Sequence, residues 1–313
     1  MLKIFKFLIA ALASASVCSL LFYFLDPNAI YVTYRCLTAS FDSPFRCYSG
    51  QPFSFQTRTL GITYDGNTRD EIDRGVLAFG GHEKPQMFFL RDVCNGGIFV
   101  DVGANKGLYS LFMSKYAKEV HAFEPYPPVL RKFFHLVEIN EIKNIIIHPV
   151  GLGEKHERLV FQEPEGENEG RGSFVFVSPA AGKHREFEIM TGDEALKKAG
   201  ASKIDLLKID VEGFEKPVLK GLRATLAYSR PLVAFELTID PTWPILFQNM
   251  KEIENAFPAN YKFLMFRDWD LYTGRYELGT VNIDFSRTAT APNNIIAFPA
   301  ERPVPLKGPS DKF

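Results

Sequence analysis

A short glycine-containing loop and a later acidic residue form the first group with residue types that suit ligand chemistry. The loop Asp101–Gly107 (DVGANKG) follows an apolar segment, and Glu124 stands 23 residues after Asp101. In an open parallel sheet, ligands bind beyond the carboxyl ends of the strands, where such loops lie. Gly103 has no Cβ, so a ligand can approach its backbone, and Gly107 relieves crowding where a helix begins. The spacing predicts a nucleoside site in which Glu124 accepts hydrogen bonds from a ribose diol.

The glycine spacing indicates which kind of nucleoside fits this loop. The glycines are spaced G-x-x-x-G, so the sequence has neither the G-x-G-x-x-G fingerprint of dinucleotide enzymes nor a Walker lysine motif. A pyrophosphate is therefore disfavoured as the ligand, and so is the alternative of a nicotinamide-dependent oxidoreductase. Asp101 instead attracts a cationic group in a partly desolvated site. The sulfonium compound S-adenosylmethionine meets that description.

A second group of charged residues follows a later apolar run. In the segment Ile204–Glu215 (IDLLKIDVEGFE), Lys208, Asp210 and Glu212 alternate with other residues. Residues two apart on an extended backbone face the same side, so we expect these three side chains to converge on one ligand. Asp210 or Glu212 is then the candidate base, with Lys208 or a metal assisting, and the alternative is an ion pair that caps the following helix. Three histidines are further candidates for the base: His82, His121 and His148.

The elements that position these groups alternate between short apolar runs and segments with helical periodicity, which predicts βαβ units. The predicted strands are Ile98–Val102, Val120–Phe123, Ile145–Val150, Ile204–Asp210, Leu232–Glu236, Tyr261–Phe266 and Asn294–Phe298. The predicted helices are Leu108–Tyr116, Val129–Asn140, Gly192–Ala199, one after Gly213, and Ile245–Phe257. Right-handed crossovers assemble these elements into an α/β fold whose sheet is mostly parallel, with helices on both faces. Between residues 157 and 190, the short alternating runs Leu159–Phe161 and Phe174–Val177 predict an inserted β-hairpin.

The N-terminal region predicts a membrane anchor. Phe7–Leu25 is an uncharged run of 19 residues, enough for a helix of roughly 28 Å. Lys3 and Lys6 precede the run and Asp26 follows it, so the positive-inside tendency keeps the N-terminus cytosolic. We therefore expect a single-pass type II membrane protein whose main domain is lumenal or extracytoplasmic. The alternative is a cleaved signal peptide and a secreted domain, because Ala13–Ala15 resembles an A-x-A cleavage site.

The composition limits the remaining possibilities. The 313 residues are 46% hydrophobic, which suits a globular domain, and 36 Lys plus Arg against 37 Asp plus Glu leave a net charge of −1. The chain therefore lacks the overall positive charge that favours binding to nucleic acid, and nucleic acid is not an expected partner. The four cysteines lack C-x-x-C spacing, so no structural zinc site is predicted, although Cys36 and Cys47 can pair in an oxidising compartment. The predicted organisation is a cytosolic end (1–6), an anchor (7–25), a stem (26–56) and one folded domain (57–313) whose motif-bearing core is 97–237.

The stretch from Phe99 to about Leu237 resembles the FkbM family of S-adenosylmethionine-dependent methyltransferases. Five blocks stand in that family's order and rough spacing: FVDVGANKGLYS, HAFEPYPP, HPVGLGE, IDLLKIDVEGFEKPVLKG and RPLVAFEL. The resemblance implies a Rossmann-like seven-stranded methyltransferase fold and, usually, O-methylation of a hydroxyl on a sugar, polyketide or related natural product. The sequence departs from the family's common form in its N-terminal extension and in Lys106, where an apolar residue is frequent.

The resemblance also implies roles for individual residues. Asp101, Gly103 and Asn105 correspond to the family's cofactor loop, in which we also expect Ala104 and Gly107 to bind the cofactor. Glu124 corresponds to the ribose-binding acid, Val150 and Gly151 to the adenine lining, and Asp210 and Glu212 to the block that faces methyl donor and acceptor. We therefore expect a membrane-bound methyltransferase that uses S-adenosyl-L-methionine and acts on a small-molecule, lipid or glycan acceptor. The alternative is a membrane-tethered binding protein that keeps the methyltransferase scaffold without catalysis.

Overall fold

The computed structural model describes residues 50, 52–57, 59–164, 170–177, 182–271, 273–289 and 293–308. The predicted anchor Phe7–Leu25 and the cysteines Cys36 and Cys47 lie outside these residues. Among the helices of the described residues, none is both long enough and apolar enough to cross a membrane. The chain divides into two compact units, Met1–Lys84 and Pro85–Phe313.

The described part of the first unit is a β-hairpin followed by a helix. Strand β1 (Pro52–Gln56) pairs antiparallel with β2 (Thr63–Asn67), and helix α1 (Glu71–Phe79) follows. The hydroxyl of Tyr64 donates a hydrogen bond of 2.8 Å to the buried carboxylate of Asp73. This bond joins the helix to the hairpin and satisfies two polar groups that burial would otherwise leave unpaired.

The second unit is built around one large sheet. Its strands are β3 (Ile98–Val102), β4 (Glu119–Phe123), β5 (Ile145–His148), β6 (Gly151–Gly153), β7 (Glu157–Gln162), β8 (His184–Thr191), β9 (Ile204–Ile209), β10 (Leu232–Leu237), β11 (Tyr261–Trp269), β12 (Tyr276–Thr280) and β13 (Asn293–Pro299). Its helices are α2 (Lys84–Val93, which begins at the boundary), α3 (Leu108–Met113), α4 (Pro127–Ile139), α5 (Gly192–Lys198), α6 (Glu215–Gly221), α7 (Arg223–Ser229) and α8 (Met250–Ala256). Eight strands form the large sheet in the order β12-β11-β13-β10-β9-β3-β4-β5, and β6, β8 and β7 form a smaller sheet.

The parallel half of the large sheet confirms the predicted α/β core. Strands β10, β9, β3, β4 and β5 are neighbours and run parallel. Alternate side chains of β3 point to opposite faces: Val100 and Val102 join the main core with Leu219 of α6, whereas Asp101 bonds Ser110 of α3. Helices therefore cover both faces, and this explains why the central strands are near-continuous apolar runs.

The large sheet differs from the expected one in two ways. Within the described residues it has eight strands rather than seven. It is also mixed, because β13 pairs antiparallel with both β10 and β11, and β11 pairs antiparallel with β12. Antiparallel neighbours need only a short connection, such as the turn between β11 and β12, whereas parallel neighbours need a long crossover. Strand β12 was not predicted because Tyr276–Thr280 (YELGT) contains a glycine and no apolar run.

An inserted β-hairpin is present, since β7 pairs antiparallel with β8. Its second strand is His184–Thr191, however, and the predicted run Phe174–Val177 is not a strand. The smaller sheet also contains a strand that was not predicted, β6, which pairs parallel with β8. The predicted strand Ile145–Val150 is two residues too long, since β5 ends at His148. The backbone N–H of Val150 bonds back to the carbonyl of His148, and this tight turn directs Gly151 into β6.

Candidate functional site

The loop between β3 and α3, called the glycine loop below, lies at the carboxyl edge of the parallel strands. Gly103 (φ 77°), Asn105 (φ 54°) and Gly107 (φ 80°) all adopt left-handed backbone conformations. The N–H groups of Gly103 and Ala104 donate hydrogen bonds of 3.0 and 3.1 Å to the carbonyl of Phe123 at the end of β4. The loop is therefore joined to the neighbouring strand, at the edge where the sequence predicts a ligand.

Neighbouring atoms of the protein explain why this loop requires glycine. A Cβ at Gly103 would stand 1.8 Å from the carbonyl oxygen of Asp210, and a Cβ at Gly107 would stand 2.0 Å from the ring of Phe133. Gly103 was expected to leave room for a ligand. The structure instead gives that space to the backbone that follows β9, so the glycine allows two loops to pack together.

Glu124 ties the glycine loop to the end of β4. Its Oε2 accepts a hydrogen bond of 2.9 Å from the N–H of Asn105, and its Oε1 accepts one of 2.8 Å from the N–H of Tyr126. The side chain is buried, and burial raises the pKa of Glu124 to about 7 although both N–H groups act in the opposite direction. Each carboxylate oxygen has a second lone pair, so these bonds leave it able to accept from a ligand hydroxyl.

Asp101 precedes the glycine loop at the end of β3, and one of its two carboxylate oxygens is buried without a hydrogen-bond donor among the described residues. The hydroxyl of Ser110 donates a 2.7 Å hydrogen bond to Oδ2, whereas no hydrogen bond within the described residues reaches Oδ1, which is fully buried. Burial raises the pKa of Asp101, opposed mainly by the charge of Lys208. A buried carboxylate oxygen without a donor is costly, and a cationic ligand can compensate that cost.

Lys208 connects the two predicted groups. Strand pairing sets Lys208 of β9 opposite Asp101 of β3, with Nζ 4.0 Å from Asp101 Oδ1. The same Nζ is 2.9 Å from Asp210 Oδ2 and 4.5 Å from the ring centre of Tyr109. The ammonium group is thus buried between two carboxylates and over an aromatic face, where charge pairing and a cation–π contact offset its desolvation.

The predicted convergence of Lys208, Asp210 and Glu212 by strand alternation holds only for the first two residues. Strand β9 ends at Ile209, and the backbone turns sharply at Glu212 (φ 51°) and Gly213 (φ 96°). Alternation along an extended strand therefore does not reach Glu212. The residues Asp210–Gly213 form a turn, called the acidic loop below. Its backbone packs against the glycine loop at Gly103, and the carboxylate of Asp210 lies beside Lys208.

The acidic loop is held by two residues that were not among the predicted site residues. Oε1 of Glu215 accepts hydrogen bonds from the N–H groups of Val211 and Gly213, at 3.1 and 3.2 Å. From the inserted hairpin, the hydroxyl of Ser173 donates a 2.9 Å bond to the carbonyl of Glu212. Glu215 lies inside a predicted motif, so its position was a usable signal. Ser173 lies in a polar segment distant in the sequence, and no local pattern indicates its role.

The inserted hairpin also reaches the glycine loop. A Cβ at Gly170 would stand 1.8 Å from Asn105 Nδ2, so the segment that begins at Gly170 passes directly against that side chain. Phe176, farther along this segment, packs against the α-carbon of Gly213 and edge-on against Trp243. The insertion therefore contacts the glycine loop and the acidic loop, which sequence spacing does not show.

Most of the remaining predicted residues lie within β4 or at the end of β5. Val150 packs against the main core, and a Cβ at Gly151 would stand 2.6 Å from Ile189. His121 is fully buried and is held between Glu119 (2.6 Å) and His148 (3.0 Å), which leaves neither of its ring nitrogens open to a substrate. Burial and the neighbouring His121 lower the pKa of His148 to about 4. His82 lies in the first unit.

The described residues contain no cluster of three or more His, Cys, Asp or Glu side chains that could hold a metal ion. The groups that the structure brings together are instead the glycine loop, Glu124, Asp101, Lys208 and the acidic loop. This arrangement offers buried carboxylates for a cationic, hydroxyl-bearing ligand and a half-exposed carboxylate at Asp210.

Comparisons with known proteins find a matching family profile and a related sequence. The family profile described as "Methyltransferase FkbM domain" matches residues 101–269. Methyltransferase 1 from Beauveria bassiana (strain ARSEF 2860) is 30% identical over 142 residues, which are 39% of this chain and 57% of that protein. The chain thus matches little more than half the length of this relative.

Two of the solved structures found by the comparisons are described as methyltransferases. Methyltransferase FkbM from Methylobacillus flagellatus KT shares 14% identity with a TM-score of 0.42, covering 90% of this chain and 57% of that one. Precorrin-6y C5,15-methyltransferase from Geobacter metallireducens GS-15 shares 12% identity with a TM-score of 0.38, covering 69% and 86%. The family profile spans more than half of the sequence and includes both loops of the site. The chain belongs to the FkbM methyltransferase domain family.

Proposed function

We propose that this protein is an S-adenosylmethionine-dependent methyltransferase that methylates an oxygen atom of its acceptor. The observation that carries the proposal is Oδ1 of Asp101, a buried carboxylate oxygen that no hydrogen bond reaches within the described residues. An anionic cofactor such as a dinucleotide would be repelled there, whereas a cationic one compensates the buried charge. When bound, S-adenosylmethionine supplies a methyl carbon on a positively charged sulfur.

The residues on the cofactor side have distinct tasks in this proposal. Asp101 attracts the cationic part of the cofactor, and Glu124 accepts hydrogen bonds from its ribose hydroxyls. The glycine loop Gly103–Gly107, including Ala104 and Asn105, gives the cofactor backbone to lie against. Val150 and Gly151 line the adenine. The left-handed residues of the loop are locked by their neighbours, so this side of the site is preorganised and loses little entropy on binding.

The residues on the acceptor side hold the hydroxyl and take its proton. Asp210 has a side chain that is 29% exposed, and its Oδ2 is held by Lys208. Its Oδ1 accepts the proton of the acceptor hydroxyl, while Glu212 orients the acceptor and Lys208 keeps Asp210 in place. Most of the rate enhancement comes from holding the methyl donor and the acceptor hydroxyl in a near-attack geometry.

The acceptor in this proposal is a hydroxyl-bearing small molecule, lipid or glycan. The net charge of −1 supports such an acceptor over nucleic acid. We further propose that Phe7–Leu25 anchors the chain as a type II membrane protein. Alkaline carbonate extraction of membranes carrying the full chain tests this: an anchored chain stays in the pellet, and a chain recovered in the supernatant contradicts the anchor.

Calorimetric titration of the full chain with S-adenosylmethionine tests the cofactor assignment. We expect Asp101→Asn to weaken binding by about 10- to 100-fold, because the buried negative charge that attracts the cationic cofactor is lost. Asp284→Asn, which changes an exposed aspartate in the loop before β13, is the control and should bind as the wild type does. Wild-type protein that binds reduced nicotinamide cofactor but not S-adenosylmethionine, or equal affinities for wild type and Asp101→Asn, would overturn the assignment.

A further inference from the structure

The carboxyl group of Glu215 lies buried under the acidic loop. The residue is 2% exposed and begins helix α6. One oxygen atom, Oε1, accepts both the Val211 N–H (3.1 Å) and the Gly213 N–H (3.2 Å). Buried amides without acceptors cost about 1–3 kcal/mol each, so a single side-chain atom stabilises the whole turn.

The conformation of the acidic loop requires such support. Glu212 has φ 51°, a left-handed conformation that costs a residue with a side chain about 1–2 kcal/mol. Glu215 holds the amides on either side of Glu212, and Ser173 holds the Glu212 carbonyl. A strained backbone conformation of this kind persists only where several contacts with the surrounding residues hold it in place.

The position of the acidic loop matters for both halves of the site. The N–H of Asp210 donates a 2.9 Å bond to the carbonyl of Val102, and the carbonyl of Asp210 packs against the α-carbon of Gly103. A shift of the acidic loop would therefore move Asp210 and Glu212 away from the acceptor side and loosen the contact with the glycine loop.

We propose that Glu215 is a positioning residue, whose Oε1 sets the conformation of the acidic loop and so aims Asp210 and Glu212 at the acceptor. This inference rests on the proposed methyl transfer for its functional consequence. Because one oxygen accepts both bonds, the carbonyl oxygen of a glutamine can replace it. Burial raises the pKa of Glu215 to about 8, and the neutral acid presents the same kind of acceptor as glutamine does. A residue that acted as a base would not tolerate that replacement.

The test compares three substitutions in the full chain: Glu215→Gln, Glu215→Asp and Glu215→Ala. The control is Lys220→Ala, which changes a residue on the same helix as Glu215 and removes its surface ion pair with Glu154. Amide hydrogen exchange at Val211 and Gly213 reports the loop directly, and S-adenosylhomocysteine affinity reports the cofactor side. Transfer of labelled methyl from S-adenosylmethionine to a glycan and lipid extract reports the reaction.

We expect Glu215→Ala and Glu215→Asp to speed exchange at both amides, and to slow methyl transfer, by about tenfold or more, because the acceptor atom is lost or withdrawn. Glu215→Gln and Lys220→Ala should change each quantity by less than about threefold. The two shortened side chains serve as alternatives, so one that fails to fold does not prevent the test.

Two results would overturn the proposal. One is unchanged exchange at Val211 and Gly213 in Glu215→Ala or Glu215→Asp. The other is loss of methyl transfer in Glu215→Gln while exchange stays normal, which would assign chemistry rather than positioning to Glu215. The hydrogen-exchange result decides whether Glu215 holds the loop even without transfer. Wild-type protein that does not bind S-adenosylhomocysteine would instead contradict the proposed function.

Discussion

The carbonyl oxygen of Asp210 fills the space beside Gly103 in which any side chain would stand, 1.8 Å from the ideal Cβ position. The two residues follow neighbouring parallel strands, and the bond from the Asp210 N–H to Val102 reinforces their contact. The glycine loop and the acidic loop therefore form one interlocked unit. A change in either loop is transmitted to the other.

Gly103→Ala should be among the most damaging small substitutions in the chain. We expect it to lower the free energy of unfolding by about 4 kcal/mol, from left-handed strain and the clash with Asp210. Gly200→Ala is the matched control, since Gly200 has a similar φ of 76° but nothing within 4 Å of its Cβ position. It should cost only about 1–2 kcal/mol. Urea unfolding measures both, and equal losses would contradict the interlocking.

Lys208→Met should destabilise the protein because it leaves Asp101 buried without its cation. We expect a loss of about 3 kcal/mol in urea unfolding, partly restored by adding Asp101→Asn to the same chain. Lys220→Met removes an exposed pair with Glu154 and should cost less than about 1 kcal/mol. A Lys208→Met variant as stable as Lys220→Met would show that the buried lysine is not needed to compensate Asp101.

Glu124 should make stability depend on pH. Its pKa is about 7 in the folded protein against an ordinary 4.5, so the folded state holds the proton more tightly than the unfolded state does. Its contribution is therefore complete below about pH 4.5 and is lost as the pH rises through about 7, on the order of 3 kcal/mol in total. Urea unfolding from acid to alkaline pH measures this loss.

Glu124→Gln is the variant that isolates this effect. Glutamine does not titrate, so the part of the slope due to Glu124 should disappear. The N–H groups of Asn105 and Tyr126 bond different oxygens of Glu124, and glutamine has only one side-chain oxygen. Its amide nitrogen, a donor, must therefore face one of these two N–H groups, and that hydrogen bond is lost. The variant should thus be less stable than the wild type at acidic pH, unlike Glu215→Gln. An unchanged slope would mean that Glu124 does not titrate in this range.

His148 should remain uncharged well into the acid range. Its pKa is about 4, because burial and the nearby His121 disfavour the charged ring. Its contribution to stability is present above about pH 6.5, the ordinary value, and is lost as the pH falls through about 4. NMR titration of the ring checks the value, and His121→Asn should raise it by removing one of the two causes. Titration of His148 near 6.5 in the wild type would contradict the described environment.

The predictable features of the fold are the local ones. The strand Ile98–Val102 is confirmed at both ends because its apolar run stops at a glycine turn. The inserted hairpin is confirmed only in its first strand, because the second strand begins at His184 rather than at the nearer run Phe174–Val177, and no local pattern specifies a partner so distant in the sequence. Strand β12 was missed because its sequence has no apolar run, and β6 because three residues give no period.

The sequence by itself determined the order of the motif blocks, the central apolar strands and the glycines of the left-handed turn, since these depend on residues within a few positions of one another. Tertiary structure alone decided that Lys208 stands opposite Asp101, that Ser173 holds Glu212, and that Asp210 occupies the space at Gly103. The physical reason is that strand order, and the side chains it makes neighbours, follow from packing over the whole sheet. No local pattern contains that information.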